Sequence, residues 1–364
     1  MPESKAQNPE PLPKVVALPQ SLRLQGAIRL IPAKVGDATL AGQRFLESAR
    51  LLNIDLSLMF GVLDPGSGDV RQSCLIVPSP GRTAMLFVSS DQAKPRAWSA
   101  GRARRAGAGA DAGHVDRLAL VRHACAAAHE RGCTLVQALL EERERDVGVA
   151  LQAEGFTGLG ELAYLRRPLA GASVDPEVDA APAWPEGVAV RSLAELEAEG
   201  LTAEAREAML GQALTASYEQ TLDCPELCGL RDIDDVIASH TSVGVFDPAL
   251  WWIVSDASGP QGCLLLSVVP DHDSIELVYI GLSPTVRGKG LASMLMSMGI
   301  AALYRRAVVR AGPQSASRAR IRASGGLTCA VDMRNGPALR LYQRLGFVRT
   351  GLRLPWVKSL RPHA

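Results

Sequence analysis

Apolar positions along the chain change period repeatedly, and each change marks a new element. Residues 1–20 read as a tail, because Pro2, Pro9, Pro11, Pro13 and Pro19 oppose regular structure. Between Asp37 and Leu52, Ala41, Phe45, Leu46 and Ala49 recur at helical spacing. Strand-like runs follow at Leu56–Val62, Ser73–Val77 and Ala84–Val88, with Pro80-Gly81 as a hairpin turn between the last two. Residues 91–113 break the pattern with Gly, Ala, Arg and Pro and read as a loop. A helix is predicted over His114–Arg131, stopped by Gly132. A strand over Cys133–Leu139, a helix over Asp146–Glu154 and extended chain over Phe156–Leu165 complete this half.

Residues 171–184 interrupt any helix or central strand with Gly171, Ser173, Pro176 and Pro182, and read as a linker. After it the order repeats. Strands are predicted at Val188–Arg191, Trp251–Ser255, Gly262–Val269, Ile275–Leu282 and Leu327–Val331. Helices are predicted at Leu193–Glu199, Ala203–Tyr218, Gly290–Val309 and Pro337–Leu345. Gly346-Phe347 closes the last helix of the second half as Gly155-Phe156 closes that of the first. The chain therefore reads as two copies of one unit, over residues 21–170 and 185–364.

Composition narrows the function. Across 364 residues, Lys+Arg 39 and Asp+Glu 38 leave a net charge of +1, which removes the charge argument for a nucleic-acid binder. Hydrophobic residues at 47% are enough for a full core. No apolar run reaches the roughly 18–20 residues of a membrane span, and no secretory signal opens the chain. A cytoplasmic protein with no membrane partner is the expectation. Seven scattered cysteines complete no zinc pattern, so no metal is expected.

Chemistry concentrates after the strand that ends near Pro284. Arg287-Gly288-Lys289-Gly290-Leu291-Ala292 forms a glycine loop that runs straight into a helix. Backbone N–H groups and a helix N-terminus then point at one spot, which suits a pyrophosphate. Gly288 and Gly290 let a phosphate approach the backbone, and Arg287 and Lys289 add positive charge. A Walker A loop lacks its Gly-Lys-Ser/Thr here, and a dinucleotide fingerprint fails at Ser293.

Arg287-x-x-Gly290-x-Ala292 resembles the pyrophosphate loop of the GNAT acyl-CoA-dependent N-acetyltransferase superfamily. Asn335-x-x-Ala338-x-x-x-Tyr342-x-x-x-Gly346-Phe347 resembles a second segment of that family, in the right chain order. The resemblance covers residues 185–360 and is of the tandem-domain type, with a degenerate first half. It implies an α+β fold of two domains, each a mixed, mostly antiparallel sheet flanked by helices. It also implies acetyl-CoA as co-substrate, lying where the fourth strand splays from the fifth. Tyr279, Ile280 and Leu282 would pair with the pantetheine arm, and the amides from Arg287 to Ala292 would hold the pyrophosphate. Asn335 caps the helix that Pro337 opens and is a further cofactor contact.

The reaction implied is direct attack of a primary amine, on a small molecule or a peptide, on the thioester. Tyr342 takes the position of the acid that protonates the leaving thiolate. The amide of Leu282 is the first candidate donor to the oxyanion. Glu276 is the candidate base, because strict alternation places it on one face with Val278, Ile280 and Leu282. His272 competes for that role but reads as a hairpin tip. Tyr218, Asp223 and His240 lie where the family builds its acceptor lid and are candidate substrate contacts.

In the first half, Leu151 and Glu144 occupy the slots of Tyr342 and Asn335. Arg104-x-x-Gly107-x-Gly109 fits the loop pattern formally, but lies in an Ala/Gly/Arg-rich stretch detached from its strand. Arg305, Arg306, Arg310, Arg318, Arg320 and Arg322 read as a solvated loop or a phosphate contact. The leading expectation is an N-acetyltransferase whose second half is catalytic. The alternative is a non-catalytic acyl-CoA-binding regulator.

Overall fold

A computed structural model describes residues 12–31, 36–91, 109–169, 183–270, 274–311 and 326–361. The predicted tail falls mostly outside them, as do His272, residues 104–108 of the first-half loop, most of the linker and the arginines from Arg318 to Arg322. The chain divides into two compact units, Met1–Leu159 with Leu354–Ala364, and Gly160–Arg353.

The first unit opens with β1 (Val15–Ala17), α1 (Arg23–Leu30) and α2 (Ala38–Leu51). β2 (Met59–Leu63), β3 (Val70–Ser79) and β4 (Thr83–Val88) follow, then α3 (Gly109–Glu130), β5 (Leu135–Leu140), α4 (Arg145–Ala153) and β6 (Thr157–Gly158). β1 to β4 pair antiparallel in sequence, and β4 pairs parallel with β5. Alternation along the strands builds a core on each face. Cys74 and Ile76 pack with Leu120 and Ala124 of α3, and Met59 and Leu75 pack in a separate cluster with Ala49 of α2. The sequence pattern gave no element at α1, a short helix in which Gly26 and Ala27 are buried.

The second unit begins with β7 (Leu162–Arg167) and β8 (Ala189–Ser192). α5 (Leu193–Ala198), α6 (Ala203–Tyr218) and α7 (Ile233–Thr241) precede β9 (Trp251–Asp256), β10 (Gly259–Val269) and β11 (Ser274–Leu282). α8 (Leu291–Ala311), β12 (Leu327–Asp332), α9 (Gly336–Arg344) and β13 (Val348–Ser359) end the chain. β8 to β11 pair antiparallel in order, and β11 pairs parallel with β12. The mixed, mostly antiparallel order is thus the same in both units. α7 was not expected, although Ile233, Val236, Ile237 and His240 carry helical spacing.

The unit edges differ from the expected boundaries. β7 lies in the first half of the sequence yet pairs along β12 of the second unit, from Leu327↔Arg167 to Asp332↔Leu162. Leu354–Ser359 of β13 pairs with β5 in the first unit. The physical reason is the same in each case. The second strand of the parallel pair has a free edge of N–H and C=O groups, and an added antiparallel strand satisfies them.

The two ends of the repeat match closely. α4 ends with Gly155 at φ +82°, and the Phe156 amide donates to the Leu151 carbonyl at 3.0 Å. α9 ends with Gly346 at φ +79°, and the Phe347 amide donates to the Tyr342 carbonyl at 2.9 Å. Both are Schellman-type ends that need a left-handed residue.

At the outer end of β10, a Cβ on Gly262 would run into the carbonyl oxygen of Gly281. Backbone meets backbone there, so no rotamer change relieves it. Gly262→Ala is expected to destabilise the protein by about 1–3 kcal/mol, measured as a lower urea midpoint at unchanged slope.

Candidate functional site

The site is a split between two parallel strands. β11 and β12 pair only at Ile275↔Leu327 and Glu276↔Thr328, and beyond that point they separate. A bulge helps to cause this. Leu265 opposes Tyr279 while Leu266 opposes Leu277, so Val278 is an extra residue in β11. Such an insertion bends a strand and increases its twist.

The bulge also reverses the alternation that the sequence implied. Leu277 and Leu282 are five apart, yet both are buried in the core. Leu277 pairs with Leu266, and Ile280 with Leu264, on the face where Gly299 of α8 packs against Leu264 and Leu266. Glu276 pairs with Ser267, and Tyr279 with Leu265, on the opposite face. Glu276 therefore shares its face with Tyr279, and the expected alignment with Ile280 and Leu282 is corrected. Its Oε2 accepts a 2.6 Å hydrogen bond from Thr328 Oγ1, at the root of the split where the strands still pair.

The open edge of β11 carries free backbone. The Ser283 amide donates to the Gln261 carbonyl at 2.6 Å, which makes Gly262/Leu282 a non-hydrogen-bonded pair. By alternation Leu264/Ile280 is another. The N–H and C=O groups of Ile280 and Leu282 therefore point away from β10, into the split. Those of Tyr279 point to β10. The Tyr279 phenol instead shares a 2.7 Å hydrogen bond with Ser217 Oγ, stands edge-on to Tyr218 at 5.8 Å and stacks on His240 at 5.7 Å.

Past β11 the chain turns through Gly288 at φ +77° and Gly290 at φ +79°, both exposed with open space where a Cβ would stand. Non-glycine residues rarely hold that conformation. Among the described residues, the amides of Gly288, Lys289, Gly290, Leu291 and Ala292 have no hydrogen-bond partner. They are the unpaired donors of the α8 N-terminus and the turn before it. Leu291 is buried and anchors the turn, and Lys289 is exposed with no ion pair among the described residues.

Arg287 does something the motif did not predict. Its Nε donates to the Leu282 carbonyl at 2.7 Å. Its Nη atoms donate to the carbonyls of Ser217 at 3.0 Å, Glu219 at 2.7 Å and Gln220 at 3.0 Å. The guanidinium thus closes the C-terminal end of α6 and ties it to the end of β11. A cation there is favoured by the helix dipole. The expectation that its charge faces an anion is corrected, and what remains for that purpose is its position in the loop.

A second tie holds the end of β12. Asp332 is fully buried and takes Arg334 Nε at 3.0 Å, Arg334 Nη2 at 2.6 Å and the Cys224 amide at 3.1 Å. Against the cost of burial, the Arg334 hydrogen bonds hold its carboxyl below the usual range. Arg334 also pairs with Glu226 at 2.6 Å. Asp223 accepts the Asp332 amide at 2.8 Å and a hydrogen bond from the Asn335 side chain. Asn335 caps α9 as expected, its Oδ1 accepting the Ala338 amide at 3.2 Å. Desolvation, ahead of the neighbouring Asp332 charge, raises the Asp223 carboxyl. Arg334 was missed by the motif reading, although it directly precedes Asn335.

Tyr342 is buried in α9, its ring 5.3 Å from Phe347. Burial, then the nearby Cys329 and Asp223, raises its phenol well above the usual tyrosine range, so it stays protonated. Burial likewise raises Tyr218 and Tyr279. His240 is lowered from 6.5 to about 4 by burial and then by Arg231, and its Nε2 is buried without a hydrogen-bond partner.

In the first unit β4 and β5 also part after Met85↔Gln137. Residues 92–108, which follow β4, lie outside the described residues; among those described, charged side chains stand at the end of this split. Asp146 accepts Ser90 Oγ at 2.9 Å and the Asp91 amide at 2.7 Å, and buried Arg117 pairs with Asp91 at 3.1 Å and Asp146 at 3.2 Å. Leu151, in the slot of Tyr342, is fully buried. Arg305 is exposed. Among the described residues no cluster could hold a metal ion, and no helix is long and apolar enough to cross a membrane.

A strand split flanked by a glycine turn with unpaired amides offers backbone donors to an anion and an open strand edge to an extended ligand. Residues 247–349 match the model of the acetyltransferase (GNAT) domain. It is 36% identical over 118 residues to a mycothiol acetyltransferase of Mycobacterium leprae, covering 30% of this chain and 34% of that protein. It is 31% identical over 202 residues to the mycothiol acetyltransferase of Mycobacterium avium, covering 54% of this chain and 55% of that one. The chain thus spans between a third and about half the length of the curated relatives it matches. A solved GCN5-related N-acetyltransferase from Sphaerobacter thermophilus shares the fold at TM-score 0.53 and 17% identity, over 96% of both chains.

Two outcomes follow from these contacts. Arg287→Lys cannot reproduce the planar four-carbonyl clasp, and is expected to speed amide exchange of residues 219–223 by about tenfold or more, measured by hydrogen exchange. Because folded His240 resists protonation, the unfolded state takes up its proton first as pH falls. Stability should be full above pH 6.5 and decline toward about pH 4, and His240→Phe should flatten that decline in urea titrations.

Proposed function

We propose that the protein is an N-acetyltransferase that moves an acetyl group from acetyl-CoA to a primary amine in its second unit. The observation that carries this is the combination of five unpaired amides at Gly288–Ala292 with the open edge formed by the Ile280 backbone and the Leu282 amide. The fit to acetyl-CoA is chemical. Unpaired N–H donors on a left-handed glycine turn suit a pyrophosphate, and a free strand edge suits the amides of a pantetheine arm. When bound, acetyl-CoA supplies a thioester activated toward amines.

The chain's own residues then have these roles. The amides of Gly288 to Ala292 bind the phosphates, and Arg287 acts by fixing the turn. Ile280 and Leu282 align the arm, and the Leu282 amide donates to the thioester carbonyl oxygen. Tyr279 shapes the acceptor side through its ring rather than its backbone. Glu276 lies on that acceptor face and takes the amine proton, through water, from its position beside Thr328. Tyr342, kept neutral by burial, delivers a proton to the departing sulfur. Asn335 holds α9 so that Tyr342 faces the split. Tyr218 and His240 line the acceptor side with Tyr279. The first unit, with Asp146 and Asp91 at its split, has a structural or substrate-shaping role. The amines that the mycobacterial relatives' name implies are acceptors to test first.

Calorimetric titration of acetyl-CoA should give one site per chain, abolished by Gly290→Asp, whose carboxylate stands against the phosphates. Tyr342→Phe should keep that binding and lower kcat by about 10²–10⁴-fold. Full activity in Tyr342→Phe would remove it as the acid. Binding by wild type without turnover of any amine would favour a regulatory acyl-CoA binder.

A further inference from the structure

We propose that Asp223 is the residue that captures the acceptor, binding its amine as the ammonium ion before proton removal. This rests on the acetyltransferase reading and assigns the acceptor's point of entry within it.

The segment from Glu219 to Glu226 crosses the open end of the split. One side of it is tied to β11, because Arg287 binds the carbonyls of Glu219 and Gln220 together with that of Leu282. The other side is tied to β12, because Asp223 and Cys224 bond to Asp332 and Glu226 pairs with Arg334. Asp332 lies as far beyond Thr328 as Ile280 lies beyond Glu276, the last pair before the strands part. Asp223 is thereby placed across the split from the free amides of Ile280 and Leu282, with Tyr342 in electrostatic reach.

The charge balance then singles it out. Asp332 and Glu226 each spend both oxygens on neighbours and share the single positive charge of Arg334, so the cluster around Asp223 keeps a net negative charge. Asp223 makes no ion pair among the described residues, although the charge of Arg334 also reaches it, and it is exposed to solvent. Two donors reach its carboxylate, the Asp332 amide and the Asn335 side chain. A carboxylate offers about four acceptor positions, so room remains for an N–H donor that carries charge. The ligand chemistry this fits is an alkylammonium group. Glu276, engaged by Thr328 at the root of the split, is suited to the later proton removal and not to capture.

Asp223→Asn tests this, because its side-chain oxygen still accepts the Asp332 amide, and an unchanged urea midpoint of the variant confirms that the contact with Asn335 is not needed for the fold. Glucosamine, tyramine, lysine and cysteine serve as probe amines, with acetyl-CoA as donor. The expected result is a KM for the amine raised about 10- to 100-fold, the effect of losing one charge-assisted hydrogen bond. kcat should stay within about threefold, and acetyl-CoA affinity by calorimetry should be unchanged. Asp223→Glu should recover part of the KM. An unchanged amine KM, or a fall in kcat alone, overturns the assignment. Should wild type acetylate none of the amines, titration of each into the CoA-saturated protein separates the two ideas. Asp223-dependent amine binding would keep the capture role while the transfer reaction falls, and Asp223-independent binding, or none, would remove it.

Discussion

Everything at the site depends on two parallel strands that stop pairing. A strand edge inside a folded unit must find partners for its N–H and C=O groups, or lose about 1–3 kcal/mol for each one left buried. The second unit does not close this edge with more sheet. It inserts Val278 into β11, twists the strand away and leaves Ile280 and Leu282 facing an open split. Such a gap is stable only if its two rims are held apart and in place. Arg287 holds one rim by clasping Leu282 to the end of α6, and the Asp332–Arg334–Glu226 network holds the other. The open strand edge is therefore held by side chains anchored to neighbouring elements, Arg287 binding the Leu282 carbonyl itself.

The first unit uses the same architecture. Its strands also part, but Asp146 reaches the end of β4 and accepts the Ser90 hydroxyl and the Asp91 amide. Buried Arg117 pairs with both carboxylates. The two units thus share their topology, and among the described residues their splits differ in the charged side chains at their ends.

Much of this was legible in the sequence. The repeat, most helices and strands, the glycine turn and the Asn335–Tyr342 segment all have local signatures of period and spacing. What could not be read is non-local or changes parity. Arg287 was recognisable as a loop residue, but its partners are main-chain carbonyls, which leave no trace in residue type. Glu276 was placed on the wrong face because a single inserted residue reverses every side chain after it. Arg334 sits beside a motif residue and was passed over because its partners, Asp332 and Glu226, lie in different elements. β7 was read as the end of the first half because nothing in its own residues names β12 as its neighbour.

That last strand has a consequence for how the protein is made. β5 completes its hydrogen bonding with Leu354–Ser359, which are synthesised after almost all of the second unit. During translation the first unit can collapse around its own core, but its parallel edge stays bare until the end of the chain emerges. The two units are therefore not separable modules in time, even though each has its own core. Cutting the chain at the linker would leave the first piece without its closing strand. It would also leave the second without β7, with an unpaired β12 directly beside the split.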